Sequence, residues 1–250
     1  MKILICGVGG RMGREVARLA LDGMRGATPV AGFDLLPVDT REFPTYTEWS
    51  AVAETPDCII DFSHHAGTAA MLEYAVEKQI PVVLATTGHT EEETEGIRRA
   101  AEVIPIFHSA NMSLGIALLV ELAKTAAKAF PEADIEIVEK HHNRKLDAPS
   151  GTALLLAREL QEVREDATLV CGRSGQAKRE KNEIGIHAIR MGNIIGEHEV
   201  IVGTDTQTIT LKHEAHSRSL FAEGALAAAD FLIGKGAGLY DMKSMIEESV

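Results

Sequence analysis

Hydrophobic positions in the first half of the chain fall into short, nearly unbroken runs separated by longer stretches with apolar residues every three or four places. Lys2 to Cys6, Pro29 to Phe33, Cys58 to Phe62, Pro81 to Leu84 and Ile104 to Phe107 form the runs, as strands buried on both faces do. Met12 to Met24, Thr68 to Lys78 and Glu91 to Val103 carry the helical period between them. Buried strands alternating with amphipathic helices predict an α/β unit, a Rossmann-like doubly wound parallel sheet.

The pattern changes after residue 112. Ser113 to Phe130 is a long apolar-periodic helix, Asp134 to Glu139 alternates like a strand through Ile135 and Ile137, and Ser150 to Val163 is helical again. A polar loop, Gly172 to Asn182, precedes three strand-like runs, Gly185 to Arg190, Ile194 to Val202 and Gln207 to His213. These predict a second, α+β domain with a mixed, mostly antiparallel sheet. The Ala-rich stretch Leu220 to Ile233 is a further helix, expected to return to the first domain. The expected division is 1–112 completed by 218–250, and 113–217, with hinges near Asn111 to Ser113 and Arg218.

Composition narrows the class. Hydrophobic residues at 45% and charged residues at 25% of 250 are ordinary globular values. A formal charge of -12 argues against nucleic acid or anionic membranes as partners. The greasiest long stretch, Leu114 to Phe130, is interrupted by Glu121, Lys124 and Lys128, short of the ~18 unbroken apolar residues of a membrane span. The opening Met1 to Gly10 does not read as a signal peptide, so a cytoplasmic location is expected. Cys6, Cys58 and Cys171 lack any Cys-x-x-Cys pairing and read as free thiols.

Candidate chemistry begins at the first strand, which runs into Gly7-Val8-Gly9-Gly10-Arg11-Met12-Gly13 and then a helix. Glycines at a strand-to-helix turn let backbone approach a pyrophosphate, whose charge meets free N–H groups and the positive helix end. Met12 occupies the third glycine position of the commonest G-x-G-x-x-G spacing. Asp34 follows Gly13 by 21 positions, where a carboxylate accepts from ribose hydroxyls. Leu35 stands where an Arg would pair with a 2′-phosphate, so NADH is expected to be at least as acceptable as NADPH. Thr86-Thr87-Gly88 and Ser109-Ala110-Asn111-Met112 end later strands on the same edge; they read equally well as nicotinamide contacts and as plain turns.

Lys140-His141-His142-Asn143-Arg144-Lys145 is a cationic segment in an acidic chain, suited to an anionic ligand. Ser150-Gly151-Thr152 then opens a helix, and hydroxyls with N–H groups at a helix start bind carboxylates. A solvated loop and a plain N-cap are the competing readings. Metal binding by the adjacent His141 and His142 is disfavoured, because neighbours rarely converge on one ion. His and Lys both carry protons, which a nicotinamide enzyme needs.

Together with Arg190-Met191-Gly192-Asn193-Ile194-Ile195-Gly196-Glu197-His198, the glycine turn, Asn111-Met112-Ser113 and Glu139 to Thr152 resemble the dihydrodipicolinate reductase family in order along nearly the whole chain. The HHNRKLDAPSGT stretch is specific; the glycine turn is common to many dehydrogenases. The resemblance implies NADH- or NADPH-dependent reduction of 4-hydroxy-tetrahydrodipicolinate in diaminopimelate and lysine synthesis. It implies that Gly7 to Met12, Asp34, Ala85, Thr86, Thr87 and Ser109 to Met112 bind cofactor. It makes His141 and Lys145 the proton donors, His142 a substrate contact, and Gly151 and Thr152, beside the Ser150 that opens the helix, the holders of a substrate carboxylate. Residues 113–217 would then bind the small dicarboxylate and join a homotetramer. The family's usual Gly-Thr-Thr-Gly reads Ala85-Thr86-Thr87-Gly88 here. A different amino- or imino-acid dehydrogenase and a non-catalytic NADH sensor remain alternatives, and a sensor has no use for His141, Lys145 and the helix start together.

Overall fold

The computed structural model describes residues 1–248. The chain divides into two compact units, one of Met1–Ser113 with the chain from Ser219 onward, the other of Leu114–Arg218.

The first unit alternates β1 (Lys2–Cys6), α1 (Arg11–Leu21), β2 (Thr28–Phe33), the short β3 (Thr45–Tyr46), β4 (Cys58–Asp61), α2 (Thr68–Lys78), β5 (Val82–Leu84), α3 (Glu91–Ala101) and β6 (Pro105–His108). Its seven-stranded sheet runs β12-β6-β5-β4-β1-β2-β3, where β12 is Gly238–Tyr240, and every pairing is parallel. This is the Rossmann-like sheet expected. Ile3, Leu4, Ile59, Val82 and Ile106 are fully buried, because helices cover both faces of such a sheet. Helix α1 ends at Leu21, earlier than its pattern suggests, since Gly23 turns left-handed at φ +78°. Cys6 and Cys58 are buried free thiols, Cys171 is exposed, and burial pushes the Cys58 thiol up to about 12.

The second unit comprises α4 (Leu114–Ala129), β7 (Asp134–His141), α5 (Gly151–Gln161), β8 (Thr168–Cys171), β9 (Glu183–Arg190), β10 (Gly196–Gly203) and β11 (Thr208–Ala215). Its five strands run β11-β10-β7-β9-β8. The sheet is mixed as expected, but only two of its four strand pairings are antiparallel rather than most. The difference lies in β8, a short, half-exposed edge strand that pairs parallel with β9. Ile135, Ile137, Val200 and Val202 pack beneath Leu119, Ala123, Leu156 and Leu160 of the helices.

After Ser219 the chain adds α6 (Ser219–Leu232), β12 and α7 (Met242–Glu247) to the first unit. Small Ala side chains let α6 lie close: a Cβ on Gly224 would fall 1.7 Å from the Met112 carbonyl oxygen. Among the described residues no helix is long and apolar enough to cross a membrane.

Candidate active site

Each loop expected to meet cofactor leaves the carboxyl end of a strand in the parallel sheet. Lateral register aligns those ends, pairing Cys6 with Phe33 and Asp61, Asp61 with Leu84, and Leu84 with His108. Strand order reverses at β1, which lies between β2 and β4. Ligands of open α/β sheets bind in the crevice outside such a reversal. A cleft of roughly 510 Å³ opens there, lined among others by Gly7, Gly9, Gly10, Arg14, Asp34 and Leu35.

Gly7 adopts φ +73°, and a Cβ on it would lie 2.7 Å from the Phe62 carbonyl oxygen, so only glycine fits. The Gly10 N–H donates to Gly7 O at 2.9 Å, and α1 starts directly behind with no side chain capping its N-terminus. Such a helix start presents N–H groups to an anion. Gly13 takes the role the spacing would give position 12: a Cβ there would fall 2.1 Å from Gly7 O. Arg11 is exposed and Met12 half-buried, while Val8 is buried against Gly32.

Asp34 directly follows β2, and its Oδ2 accepts the Gly9 N–H at 2.9 Å, which holds the carboxylate beside the turn. Leu35 and Leu36 beyond it are 76% and 73% exposed, so no cation from these two positions faces the cleft. These features fit a dinucleotide whose ribose is met by a carboxylate.

Ala85 and Thr86 are buried and Thr87 exposed, with the Ala85 N–H on Asp61 O at 3.0 Å. Ser109 Oγ donates to Asn111 O at 2.9 Å and Asn111 Oδ1 accepts the Ser113 N–H at 3.0 Å, a self-capped turn. Ala110 is exposed; Met112 is buried and its carbonyl lies against Gly224. Asp61, not singled out from the sequence, is 1% exposed at the end of β4. Burial raises its pKa, opposed by the Ser63 N–H at 3.0 Å.

The second unit turns polar at one end of its buried face. Along β7 the inward residues are Ile135, Ile137, Glu139 and His141; along β10 they are Gly196, His198, Val200 and Val202. Register sets His141 beside Arg190 and Glu139 beside His198. Fully buried Glu139 accepts from His141 Nδ1 at 2.5 Å, from Arg190 Nη1 and Nη2 at 2.8 Å each, and from the Ser150 N–H at 3.0 Å. Burial works to raise its pKa, but the His141, Arg190 and Ser150 hydrogen bonds win and bring it to about 2. Ser150 Oγ, which accepts from the Ala153 N–H, meets His198 Nε2 at 3.2 Å. Burial lowers the His198 pKa to about 4, aided by the nearby charges of His141, His213 and Lys145 and opposed by Glu139.

Strand alternation divides the cationic segment. Lys140 points to the outer face, where it pairs with Glu197 at 3.0 Å and Glu199 at 3.3 Å, while His141 points inward. The Lys145 ammonium lies 2.8 Å from Asp147 Oδ2, and Arg144 donates to Asn193 Oδ1 at 2.5 Å. The His142 N–H donates to Ile194 O at 2.7 Å, and burial, followed by Arg144, Arg218 and His141, lowers its imidazole pKa. Gly151 begins α5 behind the Ser150 cap in open space, with no atom within 4 Å of where a Cβ would stand, and Thr152 is half-buried beside it. Among the described residues no three His, Cys, Asp or Glu side chains are grouped to hold a metal ion.

Glu139, Arg190, His198 and Asp147 are polar residues of this cluster to which the sequence assigned no role. The segments Glu139 to Thr152 and Arg190 to His198 contain all four, and Glu139 carries a further local signal, since it stands two places before His141 and therefore on the same strand face.

Models of two families, dihydrodipicolinate reductase N-terminus and dihydrodipicolinate reductase C-terminus, match residues 1–112 and 115–246. A 4-hydroxy-tetrahydrodipicolinate reductase of Caldanaerobacter subterraneus subsp. tengcongensis is 47% identical over 99% of both chains. One of Clostridium novyi is 42% identical over 98% of both. The dipicolinate-bound dihydrodipicolinate reductase of Paenisporosarcina sp. TG-14 superposes with TM-score 0.82 at 26% identity, covering 96% of this chain and 97% of that one.

Proposed function

The chain belongs to the dihydrodipicolinate reductase family, and on that premise we propose how its residues divide the reduction of 4-hydroxy-tetrahydrodipicolinate to tetrahydrodipicolinate in diaminopimelate and lysine synthesis. The first unit binds the cofactor: Gly7 to Met12 at the pyrophosphate, Asp34 at the ribose, and Ala85 to Thr87 with Ser109 to Met112 toward the nicotinamide. The second unit binds the dicarboxylate through Ser150, Gly151, Thr152 and His142. A reduced nicotinamide held by these first-unit residues would supply a hydride.

Loss of water from the 4-hydroxy substrate leaves a conjugated imine that takes that hydride at C4 and a proton from the protein. Negative charge builds on the conjugated nitrogen system as the hydride arrives, and the Lys145 ammonium stabilises it. His141 supplies the proton. Its Nδ1 is committed to Glu139, so Nε2 is the nitrogen that serves the substrate. Backbone at the open Gly151 start of α5 receives a carboxylate without obstruction by a side chain. The exposed Leu35 beside Asp34 favours NADH at least as much as NADPH, because a 2′-phosphate finds a carboxylate and no cation at that position.

The observation that carries the reading is the His141–Glu139–Ser150 arrangement, which joins a proton carrier to an anion-binding helix start through one buried carboxylate. His141→Ala and Lys145→Ala are each expected to lower kcat by roughly 10²- to 10⁴-fold, with NADH affinity kept, measured as loss of 340 nm absorbance on synthase-generated substrate. Near-wild-type turnover in both refutes the reading. We further propose a cytoplasmic homotetramer; a monomer by light scattering of the purified protein overturns the oligomeric part.

A further inference from the structure

We propose that Glu139 is the positioning residue of the proton donor: clamped by the Arg190 guanidinium, its carboxylate fixes His141 with Nδ1 as donor and holds the start of α5 in register with that ring. The inference rests on the role given to His141 above.

Four hydrogen bonds converge on a side chain with no solvent exposure. A carboxylate so placed is tolerated only when its lone pairs are met and its charge is paired. Arg190 does both with a two-pronged contact and also donates to Asp147 O at 2.7 Å, in the loop whose Asp147 side chain holds the Lys145 ammonium. One anion is thus linked to both proposed proton donors and to the proposed carboxylate site.

Its effect on His141 is specific. An ionised carboxylate only accepts, so the hydrogen between it and the ring belongs to Nδ1, and the proton that comes and goes belongs to Nε2. Carboxylate-oriented imidazoles work in this way, and removing the orienting group leaves the ring free to take the wrong tautomer. The charged and titratable groups beside the ring are Glu139 on β7, Arg190 on β9, His198 on β10 and, from the following loop, His142, with Lys145 near enough to act on His198. The His198 ring stands edge-on with centroids 5.2 Å apart. Gly196 on β10 leaves space for the ring, since a Cβ there would lie 3.2 Å from Nε2.

Glu139→Gln keeps the shape and removes the charge. In the full-length enzyme kcat is expected to fall on the order of 10²-fold, with KM and NADH affinity within a few-fold of wild type. Wild-type kcat, or a loss that appears in KM rather than in kcat, overturns the proposal. Should the variant not fold, the wild-type ring decides: ¹⁵N shifts of His141, assigned by comparison with His141→Asn, are expected to show the Nδ1–H tautomer at alkaline pH, and the Nε2–H tautomer overturns it. Failure of the underlying reading is distinguishable, since it shows as wild-type turnover in His141→Ala.

Discussion

Replacing Gly13 by Ala tests the cofactor turn with a single methyl group. Alanine in an α-helix is favoured over glycine by about 1 kcal/mol, so helix propensity alone predicts a gain. The structure predicts the opposite at the site. The new Cβ would lie 2.1 Å from Gly7 O, 2.7 Å from Gly7 C and 2.8 Å from Val8 Cα, against a closest normal approach of 3.0 Å. All three are backbone atoms of the turn, so α1 and the glycine turn must separate by nearly an ångström. Overpacking of this kind costs about 1–3 kcal/mol, which leaves overall stability close to unchanged or modestly reduced. Cofactor affinity is the discriminating measurement. A pyrophosphate bridging the turn and the helix start loses at least one charge-assisted hydrogen bond when they part, about 1.5–3 kcal/mol. NADH binding, followed by fluorescence titration, is therefore expected to weaken at least ~10-fold. Gly96→Ala in α3 is the control: the nearest atom to its Cβ is Arg99 Nη2 at 3.9 Å, so it should leave the affinity untouched. An unchanged NADH Kd in Gly13→Ala would refute the placement of the pyrophosphate.

Acid should destabilise the second unit through His198. Its folded pKa of about 4 lies below the ordinary imidazole value, so its stabilising contribution is complete above about pH 6.5 and declines as pH falls toward 4, by up to ~3 kcal/mol. The urea midpoint of His198→Gln should vary less over that window than wild type; equal slopes would count against a buried neutral imidazole. Leu35→Arg should lower KM for NADPH relative to NADH by supplying a cation beside Asp34, and an unchanged ratio of kcat/KM for the two cofactors would remove position 35 from the discrimination.

How much was legible follows from sequence distance. Strand β1, the glycine turn, α1 and Asp34 lie within one contiguous stretch, and their chemistry is local: hydrophobic runs, residues lacking a Cβ, an acid at a strand end. The pattern therefore reveals them directly. The short strands β8 and β12 escaped because Thr168–Cys171 is half-exposed on an edge and Gly238–Tyr240 spans three residues, too little for periodicity to register. Reading Lys140 to Lys145 as one cationic patch ignored that β7 continues through His141, sending Lys140 and His141 to opposite faces.

The chain alone determined the parallel sheet with its nucleotide turn, the mixed second sheet, and the residue types that carry protons and grip anions, since each depends on neighbours a few places away. Only the tertiary structure decided what surrounds His141. Arg190 and His198 come from strands 49 and 57 positions further on, and the pairing register that sets them around Glu139 is selected by which faces of β7, β9 and β10 are buried under α4 and α5.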